Sequence, residues 1–289
     1  MTYFLIYEKY KDYEIFERPY KIVIYFLGIY TCLDMCMYCL DNRLLLSKSK
    51  KIMEEKRMLV FSGDIHGNLK SIIWKVSIQY WLRNVDLIIA GDFGVGFGSP
   101  GSTDILYNSV KDRLEKYDIN IYVVRGNHDD PSYFDGKHDY PRLKFLEDHK
   151  IYELCGKKIY PIGGAHSVDR KRRIEENQIY KGYGSSRRCW WENESPKKEY
   201  KNLPDKVDLI VSHESPISFE PVIVRETEDL QLWEDILDAR NYLNHVLNNV
   251  NVSWWIHGHY HKSSSGNYGD VKYRGLDIEE LFYLPEEED

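Results

Sequence analysis

The sequence predicts an α/β domain on three observations: short apolar runs recur from Met58 onward, each closes on glycine or a polar residue, and stretches of helical periodicity separate them. Five runs read as strands: RMLVFS (57–62), VDLIIA (85–90), INIYVV (119–124), VDLIVS (207–212) and VSWWI (252–256). Continuous apolar runs of this length suit strands buried on both faces. Between them NLKSIIWKVSIQYWLR (68–83), TDILYNSVKDRLEKY (103–117) and EDLQLWEDILDARNYLNHVLNNV (228–250) repeat apolar residues at helical spacing. Ligands of such domains gather at the carboxyl ends of the strands. Here those ends read GDIHGN, GDFG, RGNHDD, HESP and HGHYH.

Residues 1–57 have a different texture and form an N-terminal extension to a main domain at 58–289. Their apolar run IVIYFLGIYTCL (22–33) stops at Asp34, short of the roughly 20 residues a bilayer span needs. Extended through residue 40, the run becomes a candidate membrane anchor flanked by Arg43, Lys48, Lys50 and Lys51. The other reading is a natural start at Met53 or Met58. Cys32, Cys36 and Cys39 share the C-x3-C-x2-C spacing of radical S-adenosylmethionine enzymes, but only over eight residues and without the barrel such enzymes need.

Composition narrows the function classes. With 43% hydrophobic and 29% charged residues the chain as a whole is not disordered. A net charge of −7 gives no global attraction to nucleic acid or an anionic membrane, so no nucleic-acid partner is expected. Five irregularly spaced cysteines do not make a disulfide framework, and a reducing cytoplasm is the simpler location, with membrane anchoring the alternative.

The strand ends together supply Asp64, His66, Asp92, Asn127, His128, His213, His259 and His261. Carboxylates, imidazoles and an amide oxygen without a thiolate suit Mn, Fe, Co, Ni or Zn at a reactive centre better than a structural zinc. Seven of them make two overlapping sites if one carboxylate bridges. Two such cations clamp a phosphoryl group and lower the pKa of a water between them for in-line attack.

In this order the blocks GDIHG, GD, GNHD, SHESP and GHYH resemble those of the calcineurin-like metallophosphoesterase superfamily, across about residues 58 to 276. The resemblance implies a β-sandwich flanked by helices, a four-layer α/β/β/α fold. It also implies two divalent ions, Mn first, with Fe, Zn, Ni, Co or Mg as alternatives. One would take Asp64, His66, Asp92 and His261, and the other Asp92, Asn127, His213 and His259. His128 resembles the family's catalytic histidine, which stabilises the transition state and protonates the departing oxygen. Asp129 can orient it, hold the loop or face solvent. His257 is expected to pack beside the site or support it from behind.

GGAHSVDRKRRI (163–174) and CWWENE (189–194) resemble a segment of a small bacterial and phage-type branch. Residues 166–200 read as a loop over a phosphate site, with Arg170 and Arg173 as candidate substrate contacts. Protein Ser/Thr phosphatases of the superfamily continue the second block as G-D-x-V-D-R-G; here it is GDFGVGFG, with Val95 and Gly96 at the Asp and Arg positions, so that activity is not expected. The DFG at 92–94 lacks the other protein-kinase motifs, and Gly94, Gly96 and Gly98 predict a flexible loop beside the metals. The expected function is hydrolysis of phosphate mono- or diesters, as a phosphatase or phosphodiesterase. The alternatives are a nuclease of the same superfamily and a non-catalytic scaffold on the same fold.

Overall fold

The computed structural model describes residues 57–219 and 229–285. The expected anchor at 22–40, the cysteine cluster at 32–39 and the alternative start at Met53 lie outside the described residues. Among those described, no helix is long and apolar enough to cross a membrane.

The elements follow in chain order as β1 (Met58–Ser62), α1 (Leu69–Trp74, continued by a π-helical turn at Lys75–Gln79), β2 (Val85–Ile89), α2 (Ser102–Asn108), α3 (Lys111–Tyr117), β3 (Ile119–Val123), β4 (Leu143–Phe145), β5 (Tyr152–Leu154), β6 (Lys157–Ile162), α4 (Arg170–Gly182), β7 (Lys206–Ser212), α5 (Leu230–Asn249), β8 (Asn251–His257), β9 (Ser264–Tyr268), β10 (Val271–Gly275) and β11 (Leu281–Tyr283). They build one sheet of order β11-β1-β2-β3-β4 and another of order β5-β6-β7-β8-β10-β9. Each of the five expected strands is present, three in the first sheet and two in the second. In the first, Val60 pairs with Leu87 and Leu87 with Ile121, all parallel. In the second, Ile162 pairs with Ser212 and Ser212 with His257, also parallel.

Strand alternation divides the apolar residues among three cores. Val60 packs with Leu69, Ile72, Leu87 and Leu114 under the helices α1 to α3. Its neighbours Leu59 and Phe61 turn the other way, onto Ile88, Leu209, Val211 and Ile256 between the sheets. Ile210 then faces Tyr242, Leu243, Val246 and Trp255 under α5. Continuous apolar runs are required because each central strand has a core on both sides. The result is the expected order of helix, sheet, sheet and helix.

The expected single helix at 103–117 is two helices. The Leu106 carbonyl accepts from the Ser109 hydroxyl at 2.6 Å, and Val110 turns to a φ of −125°, ending α2 before α3 begins. The loop expected over 166–200 contains the 13-residue helix α4. The short strands β4, β5 and β9 to β11, and β6, were not anticipated.

Trp255 anchors the third core. It is fully buried, donates its indole N–H to Ser212 Oγ at 2.7 Å and meets the Phe219 ring edge-on at 5.7 Å. Trp255→Ala is expected to cost about 3–5 kcal/mol in urea unfolding. Trp255→Phe, which keeps a ring but drops the N–H donor, should cost clearly less.

Candidate metal centre and active site

The turns after β1, β2, β3, β7 and β8 meet at one edge of the two sheets, and the side chains singled out there converge. Asp64, His66, Asp92 and His261 bring one ligand-capable atom each within 4.8 Å of the others. His66 Nε2 lies 2.9 Å from His261 Nε2, and that nitrogen 3.0 Å from Asp64 Oδ2. Beside this group His213 Nε2 stands 2.9 Å from Asn127 Oδ1 and 3.2 Å from Asp92 Oδ1, with the His259 ring 4.9 Å from the His213 ring. Asp92 therefore borders both groups.

The backbone is bent to achieve this. His66, Asp92, His259 and His261 have φ of 43°, 49°, 72° and 48°, left-handed values that non-glycine residues rarely adopt. Each costs on the order of 1–3 kcal/mol, and such strain collects at sites whose geometry matters more than their stability. Gly258 permits a close approach, since a Cβ there would run into Asp64 Oδ1 and the Ala90 carbonyl.

The donor chemistry fits cations. His213 Nδ1 lies 2.8 Å from the Ala90 carbonyl, which accepts its proton and leaves Nε2 facing Asn127 Oδ1 and Asp92 Oδ1. Three electron-rich atoms so close need a positive charge among them. Without a metal a proton serves: burial alone would lower the His213 pKa, but Asp92 and Asp64 outweigh it and raise it to about 10. Likewise burial alone would raise the Asp92 carboxyl, but His213, His128 and His66 hold it well below the ordinary carboxylate range. These residues fit a metal centre of imidazole and carboxylate type.

His128 is near the basin but outside the four-residue group. Its ring stacks on Phe97 at 5.1 Å, and Arg173 donates from Nη2 to His128 Nε2 at 2.5 Å. Burial first, and the Arg173 charge after it, push its pKa down to about 4 against the pull of Asp92. Arg173 comes from α4, is itself buried, and is braced by Asp169. It thus brings a guanidinium to a site whose own glycine loop carries Val95 and Gly96. Arg170 instead pairs with Asp235 on α5 at 2.5 Å and does not line the cavity.

The choice among roles for Asp129 resolves to the loop. Fully buried, it accepts from the backbone N–H groups of Gly94 at 2.7 Å, Gly126 at 2.8 Å, Val95 at 3.0 Å and Phe93 at 3.3 Å. Burial and the Asp92 charge nevertheless raise its pKa to about 6. The glycine loop is consequently tied to the GNHD turn, where flexibility was expected, and Phe97 is held against His128. His257 is buried, lies 6.2 Å from the Phe219 ring, and has its pKa lowered to about 4 by burial; it packs behind the site.

Over the basin opens a cavity of about 560 Å³ whose lining includes Asp92, Asn127, His128, Arg173, His259 and His261 together with Val168, Ile236, Tyr260 and Lys262. Phe97, Glu214 and Tyr260 join the site without standing out in the sequence. Tyr260 donates its hydroxyl to Glu214 Oε1, and Glu214 Oε2 lies 3.8 Å from His259 Nε2. The order H-G-H-Y-H and the adjacent His-Glu were the only signals for that pair.

Residues 58–263 match a family model described as calcineurin-like phosphoesterase. No curated protein matches the chain. Among solved structures, the chain is similar to a phosphopantetheinyl hydrolase from Mycobacterium tuberculosis, at 13% identity over 78% of this chain and 92% of that one, with a TM-score of 0.41. It is also similar to a putative 5'-nucleotidase from Staphylococcus aureus, at 12% identity over 76% of this chain and 48% of that one, with a TM-score of 0.35. A third is the zinc complex of Vps29 from Entamoeba histolytica, at 11% identity over 76% and 74%, with a TM-score of 0.29.

Proposed function

The chain belongs to the calcineurin-like phosphoesterase family, and from that premise we propose that it is a dinuclear-metal hydrolase of phosphate mono- or diesters. The observation that carries the reading is the pair of donor groups that share Asp92 beneath a cavity in which His128 and Arg173 touch. Asp64, His66, Asp92 and His261 would hold one divalent ion, and Asp92, Asn127, His213 and His259 the other, with Mn²⁺ the first candidate. When bound, the ions would polarise the phosphoryl oxygens and supply a nucleophilic water near neutral pH.

The remaining work falls to the chain. Arg173 would leave His128 Nε2 for a phosphate oxygen, as a guanidinium binds an oxyanion more strongly than a neutral imidazole. His128 would then lose its nearest positive neighbour and gain a negative one, and both changes raise its pKa toward the range of a general acid. Phe97 and Asp129 keep its ring and loop in place during the exchange.

The test is hydrolysis of 4-nitrophenyl phosphate and bis(4-nitrophenyl) phosphate by the full chain with Mn²⁺ and after chelation. Turnover of at least one ester that requires the metal is expected. Binding of Mn²⁺ without hydrolysis of any ester in a broader panel would favour the scaffold alternative, and hydrolysis that survives chelation would remove the metal from the mechanism.

A further inference from the structure

The two segments GGAHS (163–167) and WWENE (190–194) cross directly behind Asn127. Ser167 donates from its backbone N to Glu194 Oε1 at 3.0 Å and from its hydroxyl to Oε2 at 2.5 Å, 27 residues away in sequence. The same hydroxyl oxygen accepts from Asn127 Nδ2 at 3.0 Å. Ser167 and Glu194 are 1% and 2% exposed, so no solvent competes for these bonds.

A serine hydroxyl has one proton to give, and a carboxylate can only accept. With the proton committed to Glu194, Ser167 offers Asn127 nothing but lone pairs. The amide must turn its NH₂ end toward Ser167 and its oxygen toward His213 Nε2. We propose that Ser167 and Glu194 are positioning residues that set the orientation of the Asn127 amide, so that its oxygen and not its NH₂ group faces the metal centre. The inference rests on the reading of Asn127 as a metal ligand.

The backbone is built to hold the carboxylate there. Buried Arg125 donates from Nη1 to the Glu194 carbonyl at 2.9 Å, and from Nη2 to those of Ser195 at 3.0 Å and Gly163 at 3.1 Å. Ala165 N donates to the Glu194 carbonyl at 3.1 Å. Gly164, at φ 93°, lets the two segments touch: a Cβ there would strike the Glu194 and Ser195 carbonyl oxygens. The glycines, the serine and the distant glutamate thus have one joint task.

The experiment follows Mn²⁺ uptake by the full chain with titration calorimetry and metal-linked thermal melting, neither of which requires turnover. Ser167→Ala is expected to weaken the Mn²⁺ equivalent assigned to Asn127 about 10–100-fold, as loss of an outer hydrogen bond to a ligand commonly does. Ser167→Thr, which restores the hydroxyl, should recover binding. Glu194→Gln, with one acceptor fewer, should weaken it in the same direction, and it serves if Ser167→Ala does not fold. The decisive arm adds Ser167→Ala to Asn127→Asp. A carboxylate presents oxygen whichever way it turns, so the serine loss should not move the midpoint there.

Wild-type binding in both Ser167→Ala and Glu194→Gln, or a Ser167→Ala loss of equal size on the Asn127→Asp background, overturns the inference and leaves the proposed function standing. A wild-type chain that takes up no Mn²⁺ overturns the metal reading and the inference with it.

Discussion

His128→Ala is expected to lower kcat by roughly 10²–10⁴-fold, the usual worth of a general acid, while Mn²⁺ uptake stays at the wild-type level. The two halves of this expectation come from different observations. His128 belongs to neither donor group and its Nε2 accepts from Arg173, so its loss removes no proposed ligand. Yet it lines the cavity, stacked on Phe97 and touched by Arg173, where a leaving oxygen would depart. If the imidazole supplies the proton, the loss must be greater for an alkyl phosphate than for a 4-nitrophenyl phosphate, whose leaving group departs unprotonated with less help. Paired measurements of kcat on the two esters check this. Equal losses on both would assign His128 to charge stabilisation alone, and unchanged turnover would exclude it from the chemistry.

Asp92→Asn is expected to abolish metal-linked stabilisation along with activity. The wild-type chain should gain about 2.7 kcal/mol at free Mn²⁺ 100 times its Kd, by simple linkage. Asp92 borders both donor groups, so withdrawing its charge weakens both, whereas loss of His261 would touch only one. Asparagine keeps an oxygen for the His128 N–H that Asp92 Oδ1 accepts at 2.8 Å, and so spares the turn. Both substitutions take the nearest counter-charge from fully buried His213, and Asp92→Ala also strips the acceptor of the His128 N–H. Breaking such a buried charge pair costs about 3–5 kcal/mol, readable in the metal-free melt at neutral pH. An Asp92→Asn chain that retains the wild-type Mn²⁺ shift would refute the shared role of this carboxylate.

The ligand-bearing turns were legible because each one joins a strongly apolar strand to glycine and a short polar block, a local pattern that needs no knowledge of its neighbours. The break at Ser109 was not, since the apolar spacing of 103–117 continues across it and only the burial of Val110 shows which way the chain turns. α4 escaped for the opposite reason: RKRRIEENQIYKG buries only Arg173 and has almost no apolar stripe to announce a helix. Arg170 and Arg173 were indistinguishable in sequence. Their three-residue separation on α4 sends one to Asp235 and the other to His128.

By itself the sequence determined the α/β class, the central strands, the residue types of the centre and their resemblance to a metallophosphoesterase, because periodicity and short motifs are properties of contiguous residues. Only the tertiary structure decided which arginine reaches His128, that Asp129 ties down the glycine loop, and that Glu194 meets Ser167 behind Asn127. Those outcomes depend on the distance and direction between side chains far apart in the chain, and packing alone sets these.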